Sequence, residues 1–189
     1  EENGKLIRKA RPSDSKQIAE LCYIIWHDME LDIVQEITKE RVIHAIEESI
    51  VNINYRTNYN NIWVYEQDNH VAGCIIAYKG DKELELEAAW NKLPLEEDIK
   101  ALGTPLPLKE SKDDEWYIEA VATFSEYRGQ GIATKLFNYL ISTYPDRKWS
   151  LSCDYDNPRA KKLYERLGFK WTEDIELYDH QYLHMVYSK

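Results

Sequence analysis

A glycine-containing loop between an apolar run and an amphipathic helix limits what this chain can fold into more than any other sequence feature. Residues 116–123 are rich in aromatic and β-branched side chains, which predicts a strand. A helix is predicted to follow, because apolar side chains recur at helical spacing: Ile132, Leu136, Phe137, Leu140 and Ile141. The connecting residues 127–133 hold Gly129 and Gly131, which leave backbone N–H groups open to a ligand. Since the helix N-terminus adds partial positive charge and Arg128 adds a guanidinium, the loop is predicted to bind a pyrophosphate.

Three alternatives for this loop differ in the residues that they require. A Walker A loop is excluded, because nothing in the chain matches the GxxxxGK[ST] pattern. A dinucleotide fingerprint is matched only in part: Gly129 and Gly131 fit, Asp154 lies near the position of a ribose-binding acid, and Thr134 stands where the third glycine is expected. We also expect too few residues after Gly131 for the remaining units of a doubly wound sheet. An ordinary tight turn before a helix is the third alternative.

A second segment, residues 157–169, has the sequence of a short capped helix. Asn157 is a good N-cap, Pro158 suits the first helical position, and Gly168 is expected to end the helix. Residues 128–133 resemble the acetyl-CoA motif Q/R-x-x-G-x-G/A of the GNAT family of N-acetyltransferases. Residues 157–169 are similar to the next motif of that family, at the expected distance. The close resemblance covers residues 115–170.

The resemblance implies an α/β (α+β) fold in a single domain, residues 1–189. Its centre is expected to be a mixed, mostly antiparallel sheet of about seven strands flanked by helices. The sequence itself predicts a strand at 5–10, helices starting near Pro12 and Thr38, and a hairpin of residues 62–66 and 71–78. The acidic, proline-containing stretch 80–114 is predicted to be an insertion with one short helix.

Acetyl-CoA is the cofactor that the resemblance implies, bound in the opening between the fourth and fifth strands. Backbone groups of Val121, Ala122 and Thr123 would bind the pantetheine and the oxyanion, although these side chains could equally be core residues. The cofactor-binding residues that the resemblance assigns are Val121, Ala122, Thr123, Arg128, Gly129, Gln130, Gly131, Ile132, Ala133, Thr134, Asn157, Ala160 and Tyr164.

Tyr164 is the candidate proton donor for the thiolate that leaves. A phenol with a pKa of ~10 can protonate the anion of a thiol with a pKa of ~8.5. Asn157 and Tyr164 are seven residues apart, which puts them on one face of the helix. The family analogy places Asn157 near the pantetheine and Tyr164 near the sulfur. A plain N-cap and a core aromatic are the alternative interpretations.

Glu119 is the candidate base, because an alkylammonium with a pKa of ~10.4 must lose a proton before it attacks. Strand alternation predicts that Glu119 shares a face with Tyr117, Val121 and Thr123. A solvent-facing glutamate is the alternative. Glu85 and Glu87 are weaker candidates for holding a cationic acceptor, and a solvated acidic run is the favoured interpretation for both.

Composition limits the partners and the location that we expect. A net charge of −10 disfavours nucleic acid or an anionic membrane surface and favours a cationic amine as acceptor. No apolar run is long enough for a membrane span, and no secretory signal opens the sequence. Three cysteines without a CxxC spacing indicate reduced thiols, so we expect a cytoplasmic protein.

The histidines and the sheet edges lead to two further expectations. His180 and His184 lack an HExxH context, so no metal site is expected. An exposed sheet edge or the C-terminal strand could support a homodimer. Besides an N-acetyltransferase, two other functions stay open: a non-catalytic regulator that binds acyl-CoA, and a nicotinamide-dependent oxidoreductase.

Overall fold

The computed structural model describes residues 4–188, and its centre is one seven-stranded sheet. The strand order is β1-β2-β3-β4-β5-β7-β6. The strands are β1 (Lys5–Lys9), β2 (Ile62–Gln67), β3 (His70–Lys79), β4 (Trp116–Thr123), β5 (Trp149–Asp154), β6 (Phe169–Leu177) and β7 (His180–Tyr187). The β4–β5 pair is parallel and the other neighbouring pairs of the described residues are antiparallel. The predicted mixed, mostly antiparallel sheet is therefore confirmed.

Helices cover both faces of this sheet. They are α1 (Ser15–Asp28), α2 (Asp32–Glu36), α3 (Lys39–Val51), α4 (Glu83–Ala88), α5 (Glu97–Lys100), α6 (Ile132–Thr143) and α7 (Pro158–Leu167). The first three helices pack on one face around Ile18, Ile46 and Ile76. The last two pack on the other face, where Phe137 and Trp149 are buried. Two apolar cores thus lie on opposite sides of the sheet, as the alternating apolar pattern of its strands requires.

Local sequence explains several of the connections. Asp68 and Asn69 have φ of 52° and 67°, which suits the tight two-residue turn between β2 and β3. The N-cap prediction for α7 is confirmed, because Oδ1 of Asn157 accepts a hydrogen bond from the backbone N–H of Ala160 at 3.0 Å. Gly168 ends that helix with φ of 110°.

The parallel strands β4 and β5 separate soon after they meet. They pair at Trp116 with Trp149 and at Tyr117 with Ser150. β4 runs on to Thr123 while it stays paired with β3 on its other side. From residue 118 onward, the backbone groups of β4 that point towards β5 lie at an open wedge, available to a ligand.

The segment between β3 and β4 is more than a surface insertion with one short helix. It contains α4 and α5, together with short 3₁₀ turns. Trp90, Leu93 and Leu106 are buried in the core that α1 and α3 share with the sheet. The centroids of the Trp90 and Trp26 rings lie 5.9 Å apart. The single-helix expectation was wrong because α4 and α5, with six and four residues, are too short to show a helical apolar period in the sequence.

Candidate active site

A cleft of about 440 Å³ opens where β4 and β5 separate, between the N-terminal ends of α6 and α7. It is lined by nine of the residues assigned to cofactor binding and by four others. The nine are Thr123, Arg128, Gly129, Gly131, Ile132, Ala133, Thr134, Asn157 and Ala160. The structure therefore brings the two sequence motifs together on one surface.

The two glycines of the loop are required by backbone conformation. Gly129 and Gly131 have φ of 80° and 73°, in the left-handed region that side chains with a Cβ rarely adopt. No atom lies within 4 Å of a Cβ built at either position, so the conformation and not crowding excludes larger residues. Gly131 immediately precedes α6, whose first N–H groups have no intrahelical partner. The loop therefore presents backbone donors to the cleft.

The charge of the cleft is opposite to that of the chain. Arg128, Arg159 and Arg166 line it, and no acidic side chain does. Arg159 and Arg166 are seven residues apart on α7, which places both on the face towards the cleft. Arg166 was not among the predicted site residues, although its seven-residue spacing from Arg159 indicates that both lie on one helix face. Although the net charge of the protein is −10, the charged side chains that line this cleft beside the glycine loop are all cationic.

A second cleft, of about 320 Å³, continues along β4. It is lined by Val121, Ala122 and Thr123 of the strand and by Leu21 and Ile25 of α1, among others. Thr123 and Arg128 line both clefts, so the two are neighbours. Together they form a path from the glycine loop along the open stretch of β4.

Two assigned residues lie outside these linings. Gln130 is exposed at the tip of the loop. Tyr164 is half-buried against Phe137 and Phe169, with ring centroids 5.5 Å and 6.3 Å away. Burial, and then the nearby thiol of Cys153, raise the pKa of Tyr164 to about 12. The phenol therefore stays protonated at neutral pH, as a proton donor must, although its ring is also part of the core.

Glu119 lies at a β-bulge that the sequence pattern did not reveal. Ile76 of β3 pairs with Ala120 and Ala77 pairs with Ile118, so Glu119 is an extra residue on β4. Its side chain lines a cavity with residues of α1, whereas Val121 packs into the core around α6. The predicted face shared by Glu119 and Val121 is therefore wrong, because the bulge breaks the alternation. The alternative of a solvent-facing Glu119 is also wrong, since its side chain is only 8% exposed.

Arg56, which the sequence analysis missed, holds Glu119 in place. Its side chain is fully buried, and Nη1 donates to Oε1 of Glu119 at 2.7 Å and to the hydroxyl of Tyr78 at 2.6 Å. That hydroxyl donates in turn to Oε1 of Glu119 at 2.6 Å. Burial raises the pKa of Glu119, and Arg56 and Tyr78 oppose this rise. A lone arginine in a loop carries no local signal of such a role.

The acidic residues of α4 behave differently from one another. Glu85 is exposed, as expected for a solvated run. Glu87 is buried, which contradicts that expectation: it accepts from Nε of Arg56 at 2.6 Å and from the backbone N–H of Leu106 at 2.7 Å. Glu83 is also buried and accepts from the backbone N–H groups of Glu110 and Ser111. The spacing of Glu83 and Glu87, one helical turn, places both on the inner face of α4.

Comparisons with known proteins agree with this architecture. The family model described as the acetyltransferase (GNAT) family matches residues 19–169. The chain belongs to the GNAT acetyltransferase family. A solved N-acetyltransferase from Staphylococcus aureus Mu50 is 54% identical, with a TM-score of 0.94 over 96% of this chain and 99% of that one. Another solved acetyltransferase is 32% identical, with a TM-score of 0.80 over 96% and 98% of the two chains.

One curated relative matches only a short part of this chain. The N-alpha-acetyltransferase 30 of Schizosaccharomyces pombe is 45% identical over a match of 56 residues, and the match covers 28% of this GNAT chain. The match spans 37% of that relative, little more than a third of its length.

A metal-binding cluster and a membrane-spanning helix are both absent from the described residues. Residues 4–188 contain no group of three or more histidine, cysteine or acidic side chains arranged to hold a metal ion. Within the same residues, no helix of this GNAT chain has both the length and the apolar character of a membrane span.

Proposed function

We propose that this protein transfers an acetyl group from acetyl-CoA to a primary amine by direct attack of the amine on the thioester. The observation that carries the proposal is the cationic cleft at the glycine loop, beside the open stretch of β4. Loop N–H groups, the start of α6 and three arginines suit the diphosphate of the cofactor. The pantetheine and thioester would then lie along Val121 to Thr123.

The chemistry requires three contributions near the thioester. Backbone N–H groups of β4 that face the wedge stabilise the oxyanion that forms at the carbonyl carbon. Glu119 receives a proton from the ammonium, directly or through water, so that the neutral amine can form the new C–N bond. The C–S bond then breaks, and the sulfur takes a proton from the hydroxyl of Tyr164. The second proton that the nitrogen loses as the amide forms returns to the phenolate of Tyr164. The products are the amide and CoA.

The acceptor would enter between residues 30–33, which follow α1, and residues 102–108. A cleft of about 320 Å³ there is lined by the carboxylates of Glu30, Asp32 and Asp179. Leu106 lies between Pro105 and Pro107 of this cleft and also lines the cavity of Glu119. Three carboxylates at the entrance suit a cationic amine, which is the acceptor class we favour. The three cysteines are buried free thiols, which suits action in the cytoplasm.

An acceptor screen with purified protein tests the proposal. CoA release from acetyl-CoA is followed with a polyamine, an aminoglycoside, an amino acid and a peptide with a free N-terminus. At least one amine is expected to give turnover. Thermal stabilisation by acetyl-CoA but not by NAD is expected as well. Stabilisation by acetyl-CoA without CoA release from any amine would indicate a non-catalytic acyl-CoA-binding regulator instead.

A glycine pair supplies a matched control. Gly131→Ala strains the loop at a residue with φ of 73°, and acetyl-CoA binding is expected to weaken. Gly103→Ala imposes the same kind of strain at φ of 75°, with no atom within 4 Å, outside the cationic cleft. Equal loss of acetyl-CoA binding in both variants would mean that the glycine loop is not the cofactor site.

A further inference from the structure

Glu110, which precedes β4, has one carboxylate oxygen without a partner. The residue is only 6% exposed. Its Oε1 accepts a hydrogen bond from the hydroxyl of Tyr117 at 2.7 Å. Its Oε2 is buried and has no hydrogen-bond partner among the described residues. Because an unpaired buried oxygen is costly, its presence indicates a partner that arrives from outside the protein.

This carboxylate and that of Glu119 line the same small cavity. The cavity has a volume of about 20 Å³, which is enough for one water molecule. Apart from the two acids, its lining is apolar: Cys22, Ile25, Trp26, Met29, Ile76, Leu106 and Ala120. A water held there has two acceptors for its hydrogens, Glu110 and Glu119.

The cavity also adjoins the path along β4. Ile25 lines both this cavity and the cleft beside Val121 to Thr123. Ala120, in the cavity, directly precedes Val121. The cationic cleft, the cleft beside Val121 to Thr123 and the cavity of the two acids therefore follow one another along β4. The cavity is therefore next to the stretch of β4 beside which the amine would release its proton.

The electrostatic surroundings make Glu110 a proton acceptor near neutral pH. Burial raises the pKa of Glu110 to about 8, while Arg56 and the Tyr117 hydroxyl lower it and Glu119 and Glu83 raise it. Tyr178 and Tyr182 of the β6–β7 hairpin also interact with its charge. By contrast, Oε1 of Glu119 already accepts from Arg56 and Tyr78. General bases work best with a pKa close to the working pH.

We propose that Glu110 is a second acid of the active site, which takes the proton of the acceptor amine through a water in the cavity it shares with Glu119. The inference rests on the proposed function and revises one step of it: Glu119 holds the water that takes the ammonium proton, and Glu110 is the residue that finally receives the proton. In the step, the ammonium N–H bond breaks and the water accepts that proton. The water passes one of its own protons to Oε2 of Glu110, which becomes a carboxylic acid. Glu110 returns the proton to solvent after the amide leaves.

Glu110→Gln tests this role, because glutamine keeps the size and an acceptor for the Tyr117 hydroxyl but cannot take the proton. With an amine that supports CoA release, kcat/KM at pH 7.5 is expected to fall by about 10²-fold. The rise of kcat/KM with pH that Glu110 causes should disappear. The Kd for acetyl-CoA should not change. Glu40→Gln, on an exposed position of α3, is the control and should match the wild type in all three measurements.

A change of nucleophile separates proton removal from a merely structural role. Hydroxylamine is largely neutral at pH 7.5, so it needs no base before attack, and Glu110→Gln should lose far less activity with it than with an alkylammonium. An equal loss with both nucleophiles would assign Glu110 to structure and overturn the proposal. Unchanged kcat/KM and an unchanged pH profile with the alkylammonium would overturn it too.

Tyr117→Phe is a second variant that does not remove the carboxylate. The lost hydrogen bond should raise the pKa of Glu110, and the pH profile of kcat/KM should move to higher pH.

Carbon-13 NMR of labelled glutamate carboxyls, with Glu110→Gln to assign the signal, measures the titration of Glu110 without any acceptor amine. A midpoint near the usual 4.5 would overturn the inference. If the wild type transfers no acetyl group to any amine, the proposed function fails and the inference fails with it. If the wild type is active and Glu110→Gln is equally active, the inference alone fails.

Discussion

Nη1 of Arg56 lies 2.7 Å from Oε1 of Glu119, although the two residues are 63 positions apart in the chain. The same guanidinium donates to Glu87 through Nε and to the backbone carbonyl of Leu106 through Nη2. The loop before β2, helix α4 and the segment before β4 are thereby joined at the bulge of β4. The position of the candidate base is fixed by this buried charge network.

Replacing Arg56 should therefore cost much stability. Arg56→Met leaves Glu87 and Glu119 without their counter-charge, and the free energy of unfolding in urea is expected to fall by about 3–5 kcal/mol. Arg41→Met is the control, because Arg41 pairs with Asp98 and Glu96 at the surface, where water screens the loss. A similar loss in the two variants would argue against a special role for the buried network.

Tyr164 should affect turnover rather than folding. Tyr164→Phe keeps the ring that packs on Phe137 and Phe169 but removes the hydroxyl. We expect kcat to fall by about 10²-fold or less, with unfolding in urea almost unchanged. Tyr139→Phe, another half-buried tyrosine of the same core, should leave kcat unaltered. Wild-type turnover in Tyr164→Phe would remove this residue from the mechanism.

The arginines of the cleft should recognise the phosphates of the cofactor. Arg128→Ala and Arg166→Ala are each expected to raise the Kd for CoA by about tenfold, since each removes a charged donor to phosphate. The Kd for pantetheine, which carries no phosphate, should stay the same. Lys170→Ala, outside the cleft, should change neither. Calorimetric titration distinguishes these outcomes, and equal effects on CoA and pantetheine would refute phosphate binding.

Glu115 is expected to contribute to the free energy of unfolding in a way that depends on pH. Burial favours a higher pKa, but hydrogen bonds with His184, the backbone N–H of Lys112 and Ser150 lower the pKa of Glu115 to about 2. Because the folded pKa lies below the ordinary value of 4.5, this stabilisation is present above pH 4.5 and is lost as the pH falls through about 2. Glu115→Gln should thus lower the free energy of unfolding by ~1–3 kcal/mol at pH 7 and by little near pH 2.

A surface carboxylate provides the comparison for that measurement. Glu173 pairs with Lys112 while it is half exposed, so Glu173→Gln should change stability little at either pH. A difference between Glu115→Gln and the wild type that persists at pH 2 would mean that shape, and not charge, explains the effect.

Local sequence patterns predict most elements of the fold, and the two motifs that carry the family resemblance predict most of the residues that line the cationic cleft. Helix caps such as Asn157, the glycines at 129 and 131, and the apolar spacing of α6 depend on residues close together in the chain. Such signals reflect backbone conformation and amphipathic packing, which short segments determine largely by themselves. For this reason the sequence alone predicts the glycine loop and the capped helix α7.

The surroundings of the candidate base Glu119, unlike its identity, depend on tertiary structure. Whether Glu119 faces α1 depends on a bulge set by the pairing of β3 with β4, and a shift of one residue reverses the face. The burial of Arg56, Glu87 and Glu110 depends on contacts between segments far apart in sequence. A charged residue looks the same in a sequence whether it is solvated or enclosed. Only the folded chain determines which carboxylates lose their water and which of them gain a partner.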